Sequence, residues 1–313
     1  MTEPLSGVLL VNKPRGWTSH DIVAKLRGML GQKKAGHTGT LDPLAEGLLV
    51  VCLGRATKIA RLLTACTKTY HARCRLGMES STYDAEGLEP DGSASDVSHL
   101  SRHDIEAELD KFRGSIDQTV PPFSAVRVDG ERLYTKARRG DKIDLPVRRV
   151  HIGKLELTEV ALPFIEIEIA CSAGTYIRSL AHDLGRALGC GAYLESLTRT
   201  ALGDMTIAQA LTLEEIARLH QTGELRDRLL STHDVLSLPA VVVTDDFADR
   251  IATGRSLGTK DVIDIHGEFS KLDEIMLKNR NGEVVAIGRA LFGSPSFRID
   301  GAADLIKYGR VLN

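Results

Sequence analysis

Aromatic side chains make up only 4% of the 313 residues of this chain. Stacking on aromatic platforms therefore cannot be its general mode of contact with a nucleic acid. Net charge is equally scarce, at a formal -2. The whole-molecule field offers phosphate no attraction, so any such attraction must come from a local basic surface. The five cysteines, Cys52, Cys66, Cys74, Cys171 and Cys190, are odd in number and form no C-x-x-C pair. That excludes a zinc pattern and a disulfide framework and leaves reduced core thiols. No apolar run approaches the roughly 20 residues of a membrane span. Met1–Gly7 lacks the basic region and apolar core of a signal peptide, so the cytoplasm is the expected location. A phosphate loop of the form G-x-x-x-x-G-K-[ST] is absent.

The remaining composition, 42% hydrophobic and 26% charged, suits a globular protein with one large domain and one small one. Gly7–Asn12 and Leu48–Leu53 read as buried strands, and a helix capped by Ser19 carries Ile22, Val23, Leu26 and Leu30 on its apolar face. Residues 33–47 read as a loop. Thr57–Leu63 is expected to be helical, Tyr70–Gly77 a strand, and the acidic stretch Glu79–Ser98 a solvated surface loop holding Asp84, Glu86, Glu89, Asp91 and Asp96. Ser101 followed by Asp104 marks a helix start. A strand is expected over Phe123–Val128, before the hairpin signal Asp129-Gly130. Ile165, Ile167 and Ile169 alternate with Glu166 and Glu168, the period of a half-buried antiparallel strand. Helical spacing returns over Tyr176–Leu188 and Thr212–Leu230. The last stretch holds strands at Ala240–Val243 and near Val284–Ala290, with a short helix at Asp246–Thr253. Strands and helices mix without regular βαβ alternation. The expectation is an α+β fold with a large mixed, mainly antiparallel sheet flanked by helices and a small β-rich C-terminal domain. The division expected is 1–235 and 240–313.

Four segments could carry chemistry. In Gly36–Gly47 three glycines free the backbone, and Asp42, held extended by Pro43, presents a carboxylate. On these residues alone it could equally be an Asx-turn aspartate that only closes the loop. Arg178 falls in the first turn of a helix, where the dipole disfavours a cation and a partner carboxylate is expected. It could hold Asp42 ionised and fixed by a bidentate pair, or be a solvated arginine. Tyr70, in Lys68-Thr69-Tyr70, could be half-buried core or stack on a base. The run Arg127, Arg132, Lys136, Arg138, Arg139, Lys142, Arg148 and Arg149 is locally basic and is the best phosphate-facing candidate.

Five ordered stretches, GVLLVNKPRGWTSHD, GHTGTLDPLAEGLLVVCLGRATK, KTYHARCRLG, PPFSAVRVDGERLY and CSAGTYIRSLAHDLG, resemble the TruB-type tRNA pseudouridine synthases over roughly the first 200 residues. The resemblance implies a pseudouridine synthase fold and a cofactor-free, metal-free isomerisation of the uridine at position 55 in the T-arm of tRNA, performed by a stand-alone monomer. By the same resemblance Asp42 would be the catalytic aspartate, paired with Arg178. Tyr70 would stack on the flipped uracil and be a candidate for proton transfer, while Tyr176 and Leu197 line the base pocket. Lys13 and Pro14 would buttress the floor, His37 would support the displaced RNA loop, and Lys58 would contact RNA backbone. Arg127 stands where the family commonly has lysine. Thr253–Leu257, TGRSL, resembles part of a PUA-like RNA-binding module.

Overall fold

The computed structural model describes residues 4–88, 94–141, 143–298, 301 and 303–312; Glu89 and Asp91 of the acidic stretch and Lys142 of the basic run lie outside them. In chain order the first part holds β1 (Gly7–Lys13), α1 (Ser19–Leu30), β2 (Ala35–His37), β3 (Glu46–Leu53), α2 (Ala60–Ala65), β4 (Lys68–Leu76), α3 (Arg102–Asp110) and β5 (Gly114–Thr119). A small hairpin, β6 (Arg127–Val128) with β7 (Glu131–Arg132), leads into α4 (Leu133–Arg138). Then come β8 (Val147–Ala161), β9 (Phe164–Cys171), α5 (Ile177–Ala187), β10 (Ala192–Leu202), β11 (Met205–Thr206) and α6 (Leu213–Thr222).

These strands form a nine-stranded sheet in the order β1-β3-β10-β4-β9-β8-β5, with β2 on β3 and β11 on β10. Every pairing in it is antiparallel except β3 with β10. The outer edge of β3 is shared: β2 takes Val51–Leu53 and β10 takes Glu46 and Gly47. Where the two partners part, residues 38–45 leave the sheet as a loop. Gly47 makes the parallel contact possible. Its φ is 94°, and a Cβ there would sit 2.5 Å from the carbonyl oxygen of Arg199.

The period of two in β9 is realised in burial. Ile165, Ile167 and Ile169 are fully buried while Glu166 and Glu168 stay half-exposed. On β1 and β3 both faces are buried. Leu9, Val11, Leu49 and Val51 join the core under α1, α5 and α6, whereas Val8, Leu10, Leu48 and Val50 join a second core on the opposite face. That second core also contains Ala240, Met276, Ile287 and Leu312, from the last part of the chain. There β12 (Ala240–Val243), α7 (Asp245–Arg250), β13 (Val262–His266), β14 (Glu274–Lys278), β15 (Val284–Ala290) and β16 (Ile306–Val311) build a five-stranded sheet in the order β13-β12-β14-β15-β16. The architecture is the expected α+β one. No helix among the described residues is long and apolar enough to cross a membrane.

Several local expectations change. The cap of α1 is Thr18, in a reciprocal capping box with Asp21, and Ser19 is the first helical residue. Residues 33–47 are not all loop, since β2 pairs within them. The strand expected over Phe123–Val128 is reduced to its last two residues. The helix after Thr212 stops at Gly223, whose φ of 83° takes the left-handed conformation that ends helices. The segment Thr57–Leu63 is a 3-10 turn running into α2. The acidic stretch is not uniformly solvated, because Ser80 and Asp84 are buried.

Candidate active site

Asp42 is held by the backbone of its neighbours and by its own turn. Ser19 Oγ accepts from Leu41 N at 2.8 Å and lies 3.2 Å from Leu41 O. On the other side Gly16 N donates to Pro43 O at 2.8 Å, and Ala45 N donates to Asp42 O at 3.1 Å. Farther back, Arg199 Nη2 donates to Gly39 O at 3.1 Å and its Nε donates to Leu48 O at 2.7 Å. Arg199 is 1% exposed, so one buried side chain ties the loop to the strand it leads into.

Arg178 is buried in the first turn of α5, where the dipole disfavours a cation, and it meets there the partner carboxylate that position calls for. Its Nε donates to Asp42 Oδ2 at 2.9 Å, Nη1 to Thr82 O at 3.0 Å and Nη2 to Phe123 O at 3.2 Å. Nη1 also lies 3.4 Å from Asp84 Oδ2. The pair with Asp42 is thus made through one nitrogen, not through the bidentate fork expected from the sequence. The other nitrogens are committed to carbonyls and to a second carboxylate. Asp84 is itself fixed, accepting at Oδ1 from Glu86 N at 3.1 Å and from the Thr82 hydroxyl. The side chain of Asp42 is 38% exposed while that of Asp84 is 4% exposed. One carboxylate faces the solvent-open cavity and the other is buried behind the arginine. Among the described residues Asp42 Oδ1 has no hydrogen-bond partner, which leaves that oxygen open to the cavity.

The cavity, of about 760 Å³, is lined by Asp42, Tyr70, Tyr176, Arg178, Leu197 and Arg199, among others. Tyr70 is buried on β4 opposite Arg199 of β10, and Leu197, also buried, sits opposite Ala72 two residues along. Burial raises the phenol pKa of Tyr70 above its usual value, partly opposed by the neighbouring Arg199, so the hydroxyl keeps its proton at neutral pH. Tyr176 precedes α5, and its backbone is clamped by Gln118: Tyr176 N donates to Oε1 at 2.8 Å and Nε2 donates to Tyr176 O at 3.0 Å. Lys68 is buried too, donating to Thr64 O and Cys66 O. The cavity therefore joins an apolar wall and aromatic rings to the accessible carboxylates of Asp42 and Glu86, with two buried arginines beside Asp42. Among the described residues no cluster of three or more His, Cys, Asp or Glu side chains could hold a metal ion.

Residues 27–177 match the model of the TruB family pseudouridylate synthase N-terminal domain, residues 178–237 that of the tRNA pseudouridylate synthase B C-terminal domain, and residues 239–299 that of the PUA domain. The tRNA pseudouridine synthase B of Geobacillus thermodenitrificans is 43% identical over 260 residues, 81% of this chain and 86% of its own length. The protein of the same name from Pseudomonas paraeruginosa is 42% identical over 288 residues, 91% of each chain. The chain belongs to the TruB family. It is a tRNA pseudouridine synthase with a C-terminal PUA domain. The fold is also that of the archaeal box H/ACA sRNP Nop10-Cbf5 complex, with TM-score 0.77, 24% identity, and coverage of 99% of this chain and 86% of that one.

Within this TruB-family framework the remaining expected residues scatter. Lys13 is fully buried, with Nζ donating to Trp17 O at 2.7 Å and Pro14 O at 3.0 Å. Lys13 and Pro14 line a separate cavity with Glu46 and Gly47, not the one that holds Asp42. Desolvation lowers the Lys13 pKa to about 8, although Asp42 and Glu46 oppose the drop. His37 sits on β2, half-buried and outside the cavity lining, its pKa lowered chiefly by burial. Lys58 does not point to the site. Its Nζ donates to Val311 O at 2.7 Å, at the end of β16, so it joins the 3-10 turn before α2 to the C-terminal sheet. At the end of α4 Arg138 reaches the cavity beside Tyr134, while in the hairpin Arg127 donates to Gly130 O and Arg132 to the Tyr134 hydroxyl. Arg139 is neutralised by Glu131 and Asp141. Ser19, Asp84 and Arg199 were missed in the sequence. The Thr18–Asp21 capping box was the readable signal that Ser19 was free for another task.

Proposed function

We propose that this TruB-family synthase isomerises the uridine at position 55 in the T-arm of tRNA, with Asp42 as the reacting carboxylate. The observation that carries the reading is Asp42 held through Oδ2 by a buried arginine at the wall of a cavity also lined by Tyr70 and Leu197. A uridine inside a folded loop must first be flipped out, at a cost of a few kcal/mol. Tyr70 and Leu197 offer the base a ring face and an apolar surface. The bond between ribose C1′ and uracil N1 then breaks, the base turns, and C5 bonds to C1′. N1 ends protonated and C5 loses its proton, so the product is an isomer. Asp42 serves as nucleophile or as counter-charge to the positive charge that develops on the sugar. Tyr70, with its proton retained, is suited to proton transfer.

Arg127, Arg132 and Arg138 are proposed to face RNA phosphates, with Arg138 next to the flipped nucleotide. Arg139, spent on Glu131 and Asp141, braces the hairpin instead. His37, on the strand that leads into the Asp42 loop, is assigned to support of the displaced RNA, and Lys13 and Pro14 to bracing that loop from behind. The enzyme is proposed to act as a monomer without an obligate protein partner, its catalytic part spanning 1–235 and its PUA part 240–313.

The test is an unmodified tRNA transcript with purified protein and no additives, read for pseudouridine at nucleotide resolution. Conversion of the single T-loop uridine is expected, together with loss of turnover and retained tRNA binding in Asp42→Asn. Near-normal turnover by Asp42→Asn would remove Asp42 from the mechanism. Conversion elsewhere in the tRNA would remove the T-arm assignment.

A further inference from the structure

One contact beside the cavity has no place in this chemistry. Tyr83 lies between the two residues that receive Nη1 of Arg178, Thr82 through its carbonyl and Asp84 through its carboxylate. Its backbone is left-handed, φ 66°. A tyrosine has no short polar side chain to bond locally there, so the conformation must be held by its surroundings. Leu194 N donates to Tyr83 O at 3.0 Å, and Tyr83 N donates to Ser80 O at 3.1 Å. The ring lies flat on that of His182, with centroids 3.8 Å apart and planes 9° from parallel. His182 follows Arg178 by one turn of α5, on the same face of the helix. Its Nδ1 is buried with no hydrogen-bond partner, so stacking rather than a polar contact there holds the imidazole.

We propose that the Tyr83–His182 stack positions Arg178. It clamps the turn carrying Thr82 and Asp84 to the same helix that carries the arginine, so that the guanidinium meets Asp42 in one register. This rests on the reading that Asp42 and Arg178 drive the isomerisation. Tyr83 and His182 act through Arg178 and touch neither uracil nor ribose.

The test uses the full-length enzyme and a tRNA transcript, with kcat, KM and thermal midpoint measured for each variant. Tyr83→Asn removes the ring while keeping a residue that tolerates the left-handed backbone. It should lower kcat roughly 3- to 10-fold, the range an aromatic pair supplies, with KM within about twofold of wild type. Tyr83→Phe should restore wild-type kcat. His182→Ala should give the same loss as Tyr83→Asn, and the double variant no more than either alone. Should Tyr83→Asn fail to fold, His182→Ala carries the test, because it leaves the turn's own sequence intact. A multiplicative double variant, a loss in Tyr83→Phe, or a raised KM at constant kcat would overturn the proposal. Wild-type turnover in Asp42→Asn would instead overturn the reading beneath it, which a silent Tyr83→Asn beside a dead Asp42→Asn would leave standing.

Discussion

Replacing Arg178 by methionine removes a guanidinium that serves four acceptors, and the acceptors differ in how they respond. Asp42, with its side chain 38% exposed, regains water at little cost. Asp84, 4% exposed, cannot. Removing one partner of a buried ion pair costs about 3–5 kcal/mol. Asp84 keeps its hydrogen bonds from Glu86 N and the Thr82 hydroxyl, which places the loss near the lower end, at about 3 kcal/mol. Asp84→Asn alone should cost roughly 1–2 kcal/mol, since it weakens one charged contact but keeps the acceptor oxygen. In the double variant no buried charge is left uncompensated. Its loss should be only about 2–3 kcal/mol, well short of the sum of the singles. Urea titrations with unchanged m-values give all three numbers. Turnover should stay lost in the double variant, because Asp42 still lacks its holder. Losses that add to within about 0.5 kcal/mol would show that Asp84 is not the buried counter-charge of Arg178.

The folded-state pKa of Lys13, about 8 against 10.5 for the free side chain, means that the unfolded chain holds a proton the folded one releases between those values. Stability relative to Lys13→Met should therefore rise by about 2–3 kcal/mol between pH 7 and pH 10; a difference independent of pH in urea titrations would refute burial as the cause. In tRNA binding, Arg138→Ala should reduce the slope of log Kd against log salt by about one phosphate contact. Arg139→Ala should leave that slope nearly unchanged, since Glu131 and Asp141 already hold it. Equal slopes for the two variants would place the phosphate elsewhere.

What could be read from the sequence was local. The isoleucine alternation of β9, the Ser101–Asp104 box and the Asp129-Gly130 turn depend only on neighbouring residues, and each is present in the structure. The left-handed φ of both Asp129 (53°) and Gly130 (83°) is the type I′ geometry that dipeptide favours. Asp84 was illegible because an acidic, small-residue stretch is normally solvated, and only a distant arginine on α5 makes its burial affordable. Arg199 was illegible because one arginine in a polar strand segment carries no sign of its partners, Leu48 O and Gly39 O, which β3–β10 pairing supplies. The single-nitrogen contact to Asp42 follows from the same cause, as competing acceptors at Thr82, Phe123 and Asp84 take up the fork.

The runs GVLLVN and LLVVCL show no alternation because both faces of β1 and β3 are covered, one by α1, α5 and α6 and the other by Ile59 and Leu63 together with Met276, Ile287 and Leu312 of the C-terminal part. Such a plate has no natural outside. A chain cut after residue 238 would strip Ala240, Met276, Ile287 and Leu312 from that second core, and would be expected to find a substitute cover for the apolar surface they leave in another copy of itself. The PUA part is therefore no detachable accessory: the same apolar contacts that seat it for RNA keep the catalytic sheet from being sticky.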